Sequence, residues 1–319
     1  MGDYAGNTTN GTEKTLEPFH MTATGYNLNY LPEYIASRHG FFKEQGLDVT
    51  VNIPSPWDGV LDSLHDNSAI MALGGIWVPS MYKKNNVQDY TVFGQIANRC
   101  PLAVLRRTSS EPFKVTDFAK STVLMKGIGG ASAGLFFKMF LRENDIDVGA
   151  VTYVQDLDGK MLGDLFQGGM GDYFVTDNLS ALAMVARNPK VSIAISMVTQ
   201  GNIPWSVYYR ETATITPEVL EKSQRFFTAL EKGIAWVMER DAETYRDELA
   251  ELFPNVPVDV AIKVTNGFRR DSMWTSTSVC PQGFARWQKG LALAGLYPEP
   301  LDYKYMVNDG PASAARATK

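Results

Sequence analysis

The chain has 319 residues, 45% apolar and 20% charged, with a formal net charge of −5. That length exceeds one small core and suits two domains or one doubly built α/β unit, while the acidic balance without a basic stripe argues against a nucleic-acid partner. No apolar run reaches the ~18 residues of a membrane span, and two isolated cysteines, Cys100 and Cys280, with no Cys/His cluster give no metal site and no expected cofactor.

Residues 1–18 are polar and read as a flexible tail. They show neither the basic nor the apolar region of a leader peptide. The expected location is therefore cytoplasmic if Met1 is the native start, and periplasmic or otherwise extracytoplasmic if a leader has been removed. "FHMTATG" (Phe19–Gly25) alternates and breaks at glycine, the pattern of a strand. "NYLPEYIASRHGFFKEQGL" carries an approximate helical face ending at Gly46, and "DVTVNIP" is a strand stopped by proline. "DGVLDSLHDN" predicts a short helix and "SAIMALGG" (Ser68–Gly75) a buried strand. A helix over 78–85 and the strands "YTVFGQIA" and "LAVLRR" follow.

Near residue 108 the pattern starts again. "KSTVLMKG" is a strand, and three glycines and a serine in "MKGIGGASAGLFFKMFLREND" precede a long helix. "AVTYVQ", "DYFVTD" and "VSIAIS" supply strands separated by the helices "GKMLGDLFQGG" and "NLSALAMVARN". "NIPWSVYYR" (Asn202–Arg210) returns as a strand. Thr216, Pro217 and Glu218 then cap a helical segment reaching to about residue 250. The expected organisation is a first lobe of residues 19–108 and 204–305, a second lobe of 109–203, and a mobile tail over 306–319. Crossing strands between two such lobes leave a cleft, a favoured place for ligands.

"GYNLNYLPEYIASRHGFFKEQGLDV", "SAIMALGGIWVPSMYKKN", "GGASAGLFFKMFLREND" and "GDYFVTDNLSALA" resemble the type 2 periplasmic-binding-protein fold. The group they resemble binds sulfonates, taurine and thiamine precursors and includes thiamine pyrimidine synthase-like proteins. The resemblance covers residues 19–305. It implies an α/β protein with two lobes, mostly parallel sheets with helices on both faces, and a central ligand cleft. Two functions are implied. One is a solute-binding component that delivers a small organic anion to an ABC permease, the anion being an aromatic or heterocyclic carboxylate or sulfonate, or a pyrimidine precursor. The other is a cytosolic enzyme on the same scaffold, a lyase, decarboxylase or pyrimidine synthase acting on such an acid. The cysteine-rich run of the pyrimidine synthases has no counterpart here, and the loop "TGYNLNYLP" lacks the cysteine that aromatic desulfinases use.

Candidate binding residues follow from strand ends and helix starts. A helix beginning near Ser132 presents unpaired N–H groups and a partial positive charge, so Gly130, Ala131, Ser132 and Ala133 form an expected anion cradle. Capping alone is the competing reading. Tyr26, Asn27, Asn29 and Tyr30 follow the first strand, where carboxyl ends face the crevice. Trp57, Trp77 and Trp205 suggest an aromatic wall. Asp177 ends a second-lobe strand, and Arg270, in "NGFRRDSMWTSTSV", is a candidate partner for an acidic group. For the enzymatic alternative, proton handling falls to Asn27, His20, Cys100 or Asp177.

Overall fold

The computed structural model describes residues 15–84, 88–127, 131–296 and 298–317. The chain runs β1 (Glu17–Ala23), α1 (Leu31–Arg38), α2 (Phe41–Glu44), β2 (Leu47–Asn52), α3 (Gly59–His65), β3 (Met71–Gly75), α4 (Trp77–Lys84) and β4 (Tyr90–Ala97). It then crosses to β5 (Leu102–Arg107), β6 (Thr122–Met125), α5 (Ala131–Glu143), β7 (Thr152–Val154), α6 (Gly159–Gln167), β8 (Tyr173–Asp177), α7 (Asn178–Arg187) and β9 (Val191–Ser196). It crosses back to β10 (Ser206–Glu211) and closes with α8 (Pro217–Glu239), α9 (Arg246–Leu252), α10 (Val258–Arg270), α11 (Pro281–Leu293), α12 (Tyr303–Met306) and α13 (Gly310–Ala317).

Local chemistry explains the boundaries. The Thr216 hydroxyl accepts from the Val219 N–H at 3.2 Å, and Pro217 and Glu218 fill the first turn of α8. Strands β3 and β4, which read as continuous apolar runs, are buried over nearly their whole length.

Two five-stranded sheets result, in the orders β2-β1-β3-β10-β4 and β7-β6-β8-β5-β9. In each, four strands run one way and a single strand opposes its two neighbours: β10 in the first sheet, β5 in the second. The opposed strand is the one arriving from the other sheet. A crossing chain enters from the gap between the sheets, so it must run away from that gap, while β1, β3, β6 and β8 end towards it. The two crossings also pair with each other. The Ile203 N–H donates to the Asn98 carbonyl at 3.1 Å and the Trp205 N–H to the Ala97 carbonyl at 2.9 Å.

Three expectations need correction. Leu102–Arg107 was assigned to the first body, but its ladder partners are β8 and β9 of the second sheet; alternation along a strand shows its buried face, not its neighbour. The N-terminal tail stops short of residue 18, because Glu17 and Pro18 pair with Leu47 and Asp48. Residues 306–317, expected in a mobile tail, are not free. Met306 is buried, α13 packs on α8, and Pro311, Ala312 and Ala315 are buried in that contact. Their small side chains look featureless in sequence yet permit close helix approach.

Aromatic rings stack within a mostly aliphatic core. Phe19, Phe226 and Phe42 stack in series at 5.1 and 4.9 Å, with Tyr208 edge-on to Phe226 at 5.2 Å. A second apolar cluster spans both sheets, from Val92 and Tyr209 to Phe136 and Phe140, and continues to Phe284 and Trp287 of α11. Helix α11 thus lies against α5, where Arg286 holds Glu143 through two bonds of 2.8 and 2.6 Å.

Candidate functional site

The strand ends and crossings meet at a cleft of about 420 Å³. From the first sheet come Thr24 and Gly25 after β1, Gly75 at the end of β3, and Ser206 at the start of β10. From the second come Lys126 after β6, Asp177 at the end of β8, Leu102 at the start of β5, and Ser132 in the first turn of α5. Carboxyl ends of strands facing a crevice are the expected ligand place in open α/β sheets.

The structure brings Tyr26, Asn27, Asn29, Tyr30, Trp57, Trp77, Ser132, Asp177 and Trp205 to this one cleft. Trp57 and Trp77 meet edge to face at 5.2 Å. Trp205 stands edge-on to Phe136 at 5.9 Å and packs against both large cores. Tyr30 is buried; desolvation pushes its phenol up, against hydrogen bonds with the Ser206 and Thr24 side chains. The loop holding these groups is pinned from below. The buried Trp274 indole donates to the Asn29 carbonyl at 2.8 Å, the Asn29 amide to the Ser206 hydroxyl at 3.2 Å, and the Asn27 N–H to the Tyr34 hydroxyl at 3.0 Å.

Opposite them, α5 opens at Ala131 with no acidic residue in its first turn. Gly130 lies outside the described residues. Ala133 lines an adjoining cavity of about 730 Å³ that reaches into the second body and shares Asn27, Leu102, Lys126 and Asp177 with the cleft. The sheets approach closely at one point: a Cβ on Gly75 would run into the Ser132 hydroxyl and lie 2.7 Å from Trp77 Cδ1. A larger residue there must displace these side chains. Asp177 caps α7, its Oδ1 accepting from the Ser180 N–H at 2.9 Å. Among the described residues the cleft is therefore lined by one cation, Lys126, and one carboxylate, Asp177.

Other candidates fall elsewhere. Arg270 is exposed on α10 and pairs with its neighbour Asp271 at 3.1 Å, so it does not reach the cleft. Within the same motif it is Trp274 that supports the site. His20 is exposed on β1, with Nδ1 2.6 Å from the Thr50 hydroxyl. Cys100 is fully buried, and desolvation pushes its thiol well up, which removes it as a nucleophile. Of the residues named for the enzymatic alternative, only Asn27 and Asp177 line the cleft. No group of three or more metal-ligating side chains occurs among the described residues. Lys126 was missed by sequence reasoning, although its position just after a strand and before the glycine run was a usable signal.

The NMT1/THI5-like family model matches residues 27–244. The chain belongs to the NMT1/THI5-like family. YtlA of Bacillus subtilis (strain 168) is 22% identical over 312 residues, 96% of this chain and 92% of that protein. The periplasmic aliphatic sulphonate binding protein SsuA from Escherichia coli has a similar structure, with TM-score 0.69, 15% identity, and coverage of 90% of this chain and 96% of that one. So does the periplasmic nitrate-binding protein NrtA from Synechocystis PCC 6803, with TM-score 0.68, 12% identity, and coverage of 95% and 89%. The Candida albicans CA3427 product, described as having the generic periplasmic binding protein fold, aligns with TM-score 0.64 at 13% identity over 92% and 97% of the two chains. The fold of this NMT1/THI5-like chain is accordingly the two-lobed periplasmic-binding-protein fold, with its cleft between the two sheets.

Proposed function

We propose that this protein captures a small organic anion in its interlobe cleft, as the solute-binding component of an ABC-type uptake system. One observation carries the reading. A helix start and a lysine from one sheet face a tyrosine–tryptophan wall from the other across about 420 Å³. The acidic group of the ligand rests on the first turn of α5, at Ala131–Ala133, with Lys126 beside it. The ring lies among Tyr30, Trp57, Trp77 and Trp205. An aromatic or heterocyclic carboxylate or sulfonate fits this division, whereas a bare inorganic anion would leave the indoles without contact.

The paired crossings at 97–98 and 203–205 are the hinge, and closure holds Ser132 against Gly75. Similarity to periplasmic receptors supports an extracytoplasmic setting and a permease partner. YtlA, whose name is that of a candidate binding protein, points the same way.

The test is a thermal-shift screen with aromatic carboxylates, aromatic sulfonates, pyrimidines and nitrate, with mass spectrometry of each stabilising compound after incubation. Stabilisation by an aromatic anion recovered unchanged supports capture. A compound recovered chemically altered would replace it with the enzymatic reading.

A further inference from the structure

We propose that a second small-molecule site lies outside the cleft, against α1 and the β1–β2 edge, and that it takes a protonated amine carried on an apolar or aromatic frame. The cavity holds about 350 Å³ and shares only Gly25, Tyr26 and Tyr30 with the cleft. Phe42, Val49, Val51 and Ile53 give it apolar walls, and Tyr26 stacks on Tyr34 at 4.3 Å with the rings 7° from parallel. It is open to solvent, since Val51 and Ile53 are 40% and 43% exposed.

One carboxylate stands among these walls. Glu33 is only 3% exposed, and its Oε2 accepts from the Tyr208 hydroxyl at 2.6 Å. No other hydrogen bond and no ion pair reaches it among the described residues. The cation lining the same cavity, Arg38, is already held by Glu248 and Glu251. A buried carboxylate without a counter-charge is unfavourable, and desolvation pushes this one up to about 7. A cation entering the cavity supplies the missing partner, and the aromatic walls add cation–π attraction. An anion meets Glu33 and is turned away, so this cavity and the cleft select opposite charges.

The experiment titrates the full chain with phenethylamine, phenylacetate and 2-phenylethanol, followed by NMR and calorimetry. Three variants are compared with wild type: Glu33→Gln; Val51→Trp, which fills the cavity from its exposed side; and Ser132→Pro, which targets the cleft. The amine is expected to bind wild type and Ser132→Pro alike. Its affinity should fall about tenfold or more in Glu33→Gln and vanish in Val51→Trp, with phenylethanol much weaker than the amine. If Glu33→Gln does not fold, Val51→Trp carries the decision. Equal affinity for phenylethanol, survival of amine binding in Val51→Trp, loss of it in Ser132→Pro, or no millimolar binding to wild type would each overturn the proposal. Because Ser132→Pro separates the two places, failure here leaves the cleft reading intact, and the reverse.

Discussion

Gly75→Ala tests whether the approach of the two sheets matters to ligand capture. The backbone at Gly75 does not require glycine, so the effect is steric. The added methyl would meet the Ser132 hydroxyl, and Trp77 Cδ1 and Nε1 at 2.7 and 3.1 Å. Trp77 belongs to the same body and can tilt within its edge contact to Trp57, which costs the free protein about 1 kcal/mol. Ser132 belongs to α5 of the other body, and that clash is relieved by turning its hydroxyl to another rotamer or by separation of the bodies. If capture requires the closed approach, the remaining ~1–2 kcal/mol of overpacking falls on binding, a loss of roughly 5- to 30-fold. Calorimetric affinity for an anion from the screen, measured beside the melting temperature of the free protein, reads both quantities. Gly94→Ala is the control. Its methyl would sit 2.8 Å from both the Phe227 ring and the Thr277 carbonyl, inside one core, so it should lower the melting temperature without selective loss of affinity. Unchanged affinity in Gly75→Ala would refute the idea that closure presses Ser132 against β3.

Lys126→Ala should weaken anion binding about three- to tenfold, a modest figure because the lysine is exposed. Asp177→Asn keeps the α7 cap and removes the cleft's carboxylate among the described residues, so calorimetry should show anion affinity unchanged or higher. Glu33 has a folded-state pKa of about 7 against an ordinary 4.5. Stability from its protonated form is complete below about pH 4 and is lost as pH rises from 4.5 to 7, by up to about 3 kcal/mol. Urea denaturation at pH 5 and pH 8 should show that loss in wild type and a flatter profile in Glu33→Gln. Ala312→Asp places an unpaired charge in the α13–α8 contact and should cost about 2–4 kcal/mol in the same assay. A truly mobile tail would tolerate it.

Much of the site was legible because strand ends are legible. Once "FHMTATG", "SAIMALGG" and "DYFVTD" are read as strands, Tyr26, Asn27, Trp77 and Asp177 must lie where those strands stop, and the crevice of an α/β fold is there. Pairing was not legible. Nothing along "LAVLRR" says which sheet accepts it, because ladder partners are set by topology. In "NGFRRDSMWTSTSV" the arginines suggested a ligand contact, yet Arg270 meets solvent and Trp274 braces Asn29. Glu33 reads in sequence as an ordinary acid in the first turn of a helix, normally solvated. Only the folded structure, with its hydrogen bond from Tyr208, reveals it as buried. The helix α13 was hidden by its alanines, which carry little periodic signal but fit closely against α8.

The most direct measurement is a crystal structure of the protein with the tightest-binding aromatic anion of the screen. The predicted result has the acidic group within hydrogen-bond distance of the backbone at 131–133, Lys126 alongside, and the ring against Trp57, Trp77 or Trp205. An acidic group bound away from the start of α5, or a ring lodged outside the indole wall, would contradict the account.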